Sequence, residues 1–104
     1  MTQKTKIINV NITFRHTEAT DALRTYATDK ITNCLQKFAH QDTDAHLVLS
    51  VEKNRQIAEV TAHVDGSTLN AKEESDKLYT AIDTLVDTLS QQLRKKKEKL
   101  TAHH

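Results

Sequence analysis

The alternation of apolar and polar residues is clearest in "IINVNITF", where Ile8, Val10, Ile12 and Phe14 fall on every second position. Period two is the mark of a strand with one buried face. Thr20 then offers a helix cap and Asp21 an acid for the first turn, and Leu23, Ala27, Ile31, Cys34, Leu35 and Phe38 follow at three- and four-residue spacing, which predicts a helix over about 20–39. Alternation returns three times: Leu47, Leu49 and Val51; Ala58, Val60, Ala62 and Val64; Leu69 and Ala71. From about Ser75 the period is helical again, with Leu78, Ile82, Leu85, Val86, Leu89 and Leu93 on one stripe. Glu73, Glu74 and Asp76 are expected at the start of this second helix and bases at its end, in keeping with the helix dipole.

Register tests the strands against each other, because a slip of one residue turns a strand inside out. A turn centred on Asn54-Arg55 sets Val51 against Ala58, Leu49 against Val60 and Leu47 against Ala62. A primed two-residue turn at Asp65-Gly66 sets Ala62 against Leu69 and Val60 against Ala71. Both hairpins place the same residues of the middle strand on the core face, so a three-stranded antiparallel meander is predicted. The order is β-α-β-β-β-α, and one apolar sheet face with two amphipathic helices predicts an α+β two-layer sandwich with both helices on one face of a four-stranded sheet. A helix, three strands and a final helix make an order similar to that of double-stranded-RNA-binding domains, which read the shape of their partner across its grooves.

Length and composition narrow the setting. With 104 residues, no proline and a single glycine, Gly66, the chain offers no linker and is read as one domain, 1–104. No apolar run approaches the roughly 18 residues of a membrane span and the N-terminus has no signal-peptide core, so a cytoplasmic protein is expected. The lone cysteine, Cys34, fits a reducing compartment and sits at a core position.

Net charge conceals more than it reveals. The formal value is +1, yet Arg94, Lys95, Lys96, Lys97 and Lys99 lie within six positions, in a basic segment at about 91–100. Cations at a helix C-terminus offset the dipole, but that effect fades within the last turn. A helix from 75 to 100 spans about 39 Å, against about 20–26 Å for strands of six to eight residues, so its last turns are expected to project beyond the sheet. Five bases on a projecting rod are the footprint of a polyanion partner. The apolar face of an interfacial helix is missing, which favours nucleic acid over a membrane surface. Phe14, Tyr26, Phe38 and Tyr79 are the only aromatic residues and none lies in the meander, so a base-stacking sheet is not expected and contact should be to backbone and shape.

Catalytic constellations are missing from the pattern: one glycine cannot build a phosphate loop, and no nucleophile–base spacing stands out, so no enzyme and no cofactor are expected. The register above sets His46 opposite His63 on the exposed sheet face, half of a metal site without a third ligand, and two solvated histidines are the plainer account. Tyr79 and Asp83, four apart on the second helix, read first as a packing aromatic and an exposed acid.

"LYTAIDTLVDTLSQQLRKKKEKL", with "DALRTYATDKI" and "LVLSVEK", closely resembles the short hibernation-promoting factors of bacteria and their relative, the ribosome-associated inhibitor, over nearly the whole chain. The resemblance implies the fold derived above and a translation inhibitor, active in stationary phase or stress. Such a protein would occupy the decoding channel of the small ribosomal subunit, compete there with messenger RNA and transfer RNA, and promote ribosome dimers. It implies rRNA contacts at Arg24, Lys30, Lys53, Lys95, Lys97 and Lys99, with Arg94 and Lys96 as additional bases, and it matches Tyr79 and Asp83 to the family's Tyr and Asp. Family members often carry bases where this chain has Asn33, Thr88 and Gln91, which shifts charge toward the helix end. The chain stops soon after the second helix, as expected of the short dimer-promoting form, and a monomer is expected away from the ribosome. Two readings from the residues alone stay open: an RNA-duplex-binding module acting away from ribosomes, and a protein-interaction module using Val48, Ile57 and Thr61 on the exposed sheet face.

Overall fold

The computed structural model describes residues 7–101, with side chains through Lys95. The elements follow in the order β1 (Ile8–Arg15), α1 (Asp21–Phe38), β2 (Thr43–Glu52), β3 (Arg55–Val64), β4 (Ser67–Ser75) and α2 (Leu78–Thr101). Spatial order in the sheet is β1-β2-β3-β4. Parallel neighbours need a long crossover and antiparallel ones only a turn; accordingly α1 carries the chain from β1 to its parallel neighbour β2, and two tight turns join the rest.

Thr20 caps α1, its hydroxyl accepting from the Leu23 N–H at 3.1 Å. The predicted stripe Leu23, Ala27, Ile31, Cys34 and Leu35 is buried, as are Leu78, Ile82, Leu85, Leu89 and Leu93 of α2. Both stripes close over the same sheet face, where Leu47, Leu49, Ala58, Val60 and Ala62 are wholly buried. α1 packs over β1, and α2 over β3 and β4. The small side chains Ala58, Ala62 and Ala81 have no exposed surface, and they let the helix layer approach the strands without voids.

Four expectations need correction. First, the β2–β3 turn is centred on Lys53-Asn54, so Leu49 pairs with Ala58 and Leu47 with Val60. The slip of two residues leaves every side chain on its predicted face, which is why alternation did not reveal it. Second, His46 therefore lies opposite Thr61, and His63 opposite Asp44, not opposite each other. Third, Glu73 and Glu74 extend β4 instead of opening the helix, and the first turn of α2 holds no acid. Glu73 is drawn into the strand by Thr88, whose hydroxyl donates to its carboxylate at 2.7 Å. Fourth, the strands have eight to ten residues, so β2 and β3 are about as long as α2, and helix length alone does not carry α2 past the sheet.

The second hairpin matches the expected pairing, Ala62 with Leu69 and Val60 with Ala71. Its tip has φ 48° at Asp65 and 81° at Gly66, the left-handed backbone of a primed turn. Asp65 also binds the α1–β2 connection, its carboxylate accepting from the N–H groups of His40 and Gln41 at 3.0 and 3.2 Å.

Candidate nucleic-acid interface

Two lateral contacts fix how the helices lie. Tyr26 donates its phenolic hydrogen to Asp83, and Cys34 Sγ meets Ser90 Oγ at 3.1 Å. Partners advance together along both helices, so α1 and α2 run in the same direction. Continuing that alignment brings Phe38, the last residue of α1, level with Arg94. Lys95 to Thr101 then extends about 10 Å past the end of α1, and Leu93 is the last residue with a described buried side chain.

Arg94, at the base of this extension, and Lys95, its first residue, are exposed. The backbone stays helical through Thr101, while the side chains of Lys96, Lys97 and Lys99 lie outside the described residues.

The other predicted bases lie further back. Lys30 and Arg24 are exposed on α1. The Lys30 ammonium stands 5.4 Å from the centre of the Tyr26 ring, and the Arg24 guanidinium 5.4 Å from that of Phe14; such cation–π contacts hold long side chains in place. Lys53 stands at the tip of the β2–β3 hairpin with φ 55°, a left-handed conformation that costs a non-glycine residue about 1 kcal/mol. β2 starts beside the end of α1 and runs back about 33 Å to that tip. Lys53 and Arg94 therefore mark opposite ends of the molecule, and the bases are spread along the protein, among the exposed acids Asp21, Asp29, Asp83 and Asp87, rather than gathered in one patch.

Of the three neutral positions, Asn33 and Gln91 are exposed, whereas Thr88 faces the sheet edge at Glu73. Asp83 is exposed near the start of α2, as expected, whereas Tyr79, expected to pack there, is exposed as well. Sequence reasoning missed their third member, Tyr26. The Tyr26 and Tyr79 rings meet edge to face, centres 4.9 Å apart at 71°. Acceptance by Asp83 holds the Tyr26 phenol above its ordinary pKa of 10.0, with desolvation and the Asp83 charge acting in the same direction. Tyr26 is thus a proton donor at neutral pH. Its position beside Ala27 on the core stripe and four before Lys30 was the available signal.

The outer sheet face carries a polar ladder. Asn9 donates to Asp44, Thr61 to Asn70, and His46 and His63 pair with Thr13 and Thr68 at 3.1 and 3.0 Å. Ile57 is only 6% exposed there, and Val48 and Thr61 are half-buried. No group of three metal-ligating side chains occurs among the described residues. Nor is any described helix long and apolar enough to cross a membrane.

Fold and sequence together define a small α+β protein with bases along its length and a cluster of them in the sequence of the last turns of α2. The chain belongs to the Sigma 54 modulation protein / S30EA ribosomal protein family, whose family model matches residues 10–101. It is 40% identical over 96 residues to a ribosome hibernation promoting factor of Klebsiella oxytoca, covering 92% of this chain and 100% of that one. A protein of the same name from Azotobacter vinelandii is 40% identical over 92 residues, covering 88% and 85%. Among solved structures, the N-terminal domain of Thermus thermophilus Protein Y superimposes with a TM-score of 0.76 at 30% identity, covering 84% of this chain and 97% of that one. A ribosomal subunit interface protein from Coxiella burnetii gives 0.76 at 26%, covering 86% and 97%.

Proposed function

We propose that this chain is a ribosome hibernation factor, acting as one ribosome-binding domain on the small subunit. It lies in the decoding channel with the helix layer against rRNA, and Arg24, Lys30, Lys53, Arg94, Lys95, Lys96, Lys97 and Lys99 meet phosphates. Occupancy is the whole mechanism. A body wedged in the channel excludes messenger RNA and transfer RNA by volume, so inhibition needs affinity and shape but no catalysis or cofactor. Lysines serve as point charges, and each phosphate contact gains by releasing condensed counterions. In the short form the same binding favours ribosome dimers, and the free protein is a monomer in the cytoplasm.

The observation that carries this reading is the run of bases at 94–99 in the last turns of α2 in a chain of this family. Sedimentation of purified ribosomes with the protein, at low and high salt, tests it. Co-migration with the small subunit that weakens as salt rises, together with growth of a dimer peak, is the expected result. Failure to co-migrate even at low salt would overturn the reading and make free duplex RNA the next partner to try.

A further inference from the structure

A surface that meets only phosphates has no use for an exposed aromatic ring, yet one stands in the helix layer. Tyr79 is 43% exposed, and with Ile7 it is one of the two large apolar side chains exposed among the described residues. Packing does not account for it, since its neighbours Leu78, Ile82 and Leu85 form the buried stripe of α2. Nor is the ring loose. Tyr26 abuts it at 71°, and Tyr26 is itself anchored by its hydrogen bond to Asp83, one turn beyond Tyr79 on the same helix. Tyr79 is therefore a partly exposed ring held by a neighbour.

Charge complementarity points to the occupant. The Lys30 ammonium and the Tyr79 ring both lie beside the Tyr26 ring, at 5.4 and 4.9 Å from its centre, which puts cation and free ring within about 10 Å of each other. A nucleotide presents a phosphate and a flat base at such a separation, and surfaces that hold unpaired strands combine bases for the backbone with aromatic rings for stacking. Such a ligand uses both features at once, the cation for its phosphate and the ring for its base.

We propose that Tyr79 is an RNA-contact residue that stacks on an unpaired nucleobase while Lys30 holds a neighbouring phosphate, with Tyr26 and Asp83 fixing the ring. The inference rests on the ribosomal reading and deepens it, because it adds a contact that reads unpaired nucleotides to a surface otherwise blind to them. The stacking ring proposed here lies on the helix layer, not on the sheet.

The test compares the wild-type chain with Tyr79→Leu and Tyr79→Phe, binding each to purified small subunits and to a single-stranded oligoadenylate across a salt series. Thermal unfolding of each variant serves as the control. Phe keeps the ring and should bind within about twofold of wild type. Leu keeps apolar bulk and helix propensity but cannot stack, and should bind roughly tenfold or more weakly, with an unchanged slope against the logarithm of salt because no phosphate contact is lost. Equal binding by wild type and Tyr79→Leu overturns the proposal, as does a Leu variant whose loss comes with a flatter slope or a lower melting temperature. Wild-type failure on subunits would fell the ribosomal reading, and the oligoadenylate comparison would then decide Tyr79 by itself.

Discussion

Replacing Arg94 and Lys95 together with glutamine should separate binding from folding. Both side chains are exposed, both follow Leu93, the last described buried residue of the helix, and neither joins an ion pair among the described residues. Glutamine is nearly as good a helix former as lysine or arginine, so stability should change by less than about 0.5 kcal/mol. Binding should respond through counterion release. Each lost phosphate contact lowers the slope of log affinity against log salt by about 0.9, taking duplex DNA as a guide, so two contacts lower it by up to about 1.8. Over a fourfold rise in salt the wild type would then lose about twelvefold more affinity than the double variant. The assay is equilibrium binding to small subunits at four or more salt concentrations, beside a thermal melt. An unchanged slope would refute the role of the helix end, and a melting temperature lowered by many degrees would show that these residues serve the fold.

Two further outcomes follow from the core. Leu85 has no exposed surface, and Leu85→Ala should cost about 2–5 kcal/mol, a large part of the 5–15 kcal/mol typical of a domain; chemical denaturation measures it, and a loss below about 1 kcal/mol would contradict the packing. Cys34 should react slowly with disulfide reagents at neutral pH, because burial pushes its thiol up from 9.0 against the opposing pull of the Ser90 hydrogen bond and Lys37. Its raised value means that the thiol's share of stability is complete below the ordinary thiol range and is lost as pH rises through the folded value. Stability should therefore decline on the alkaline side, and thiol reactivity at pH 7 equal to that of the unfolded chain would contradict this.

Much of the fold was legible because burial imposes a period. Ile8 to Phe14, the three meander strands and both helical stripes were each written by what faces the core. The errors fell where period gives no information. A two-residue slip at Lys53-Asn54 preserves the face of every strand residue, and the positive φ of Lys53, uncommon for a non-glycine residue, left no mark in the sequence. Glu73 to Ser75 read as a helix start because acids suit a helix N-terminus, but the hydroxyl of Thr88 satisfies Glu73 within the strand. At the site, the bases were visible as charge, and Tyr79 and Asp83 as a motif. Tyr26 was not visible as their partner, since its contact with Asp83 spans 57 positions and exists only once α1 and α2 lie side by side.

The parallel pairing of β1 with β2 bears on the order in which the molecule assembles. Ile8 pairs with Thr43, 35 positions on, whereas each meander pairing closes across a two-residue turn. During synthesis at about 5–20 residues per second, β1 must therefore wait about two to seven seconds for the first residue of its neighbour. Short loops close at lower entropic cost than long ones, so the meander can form as a unit and receive β1 afterwards. The strand made first is then the last of the four to be fixed.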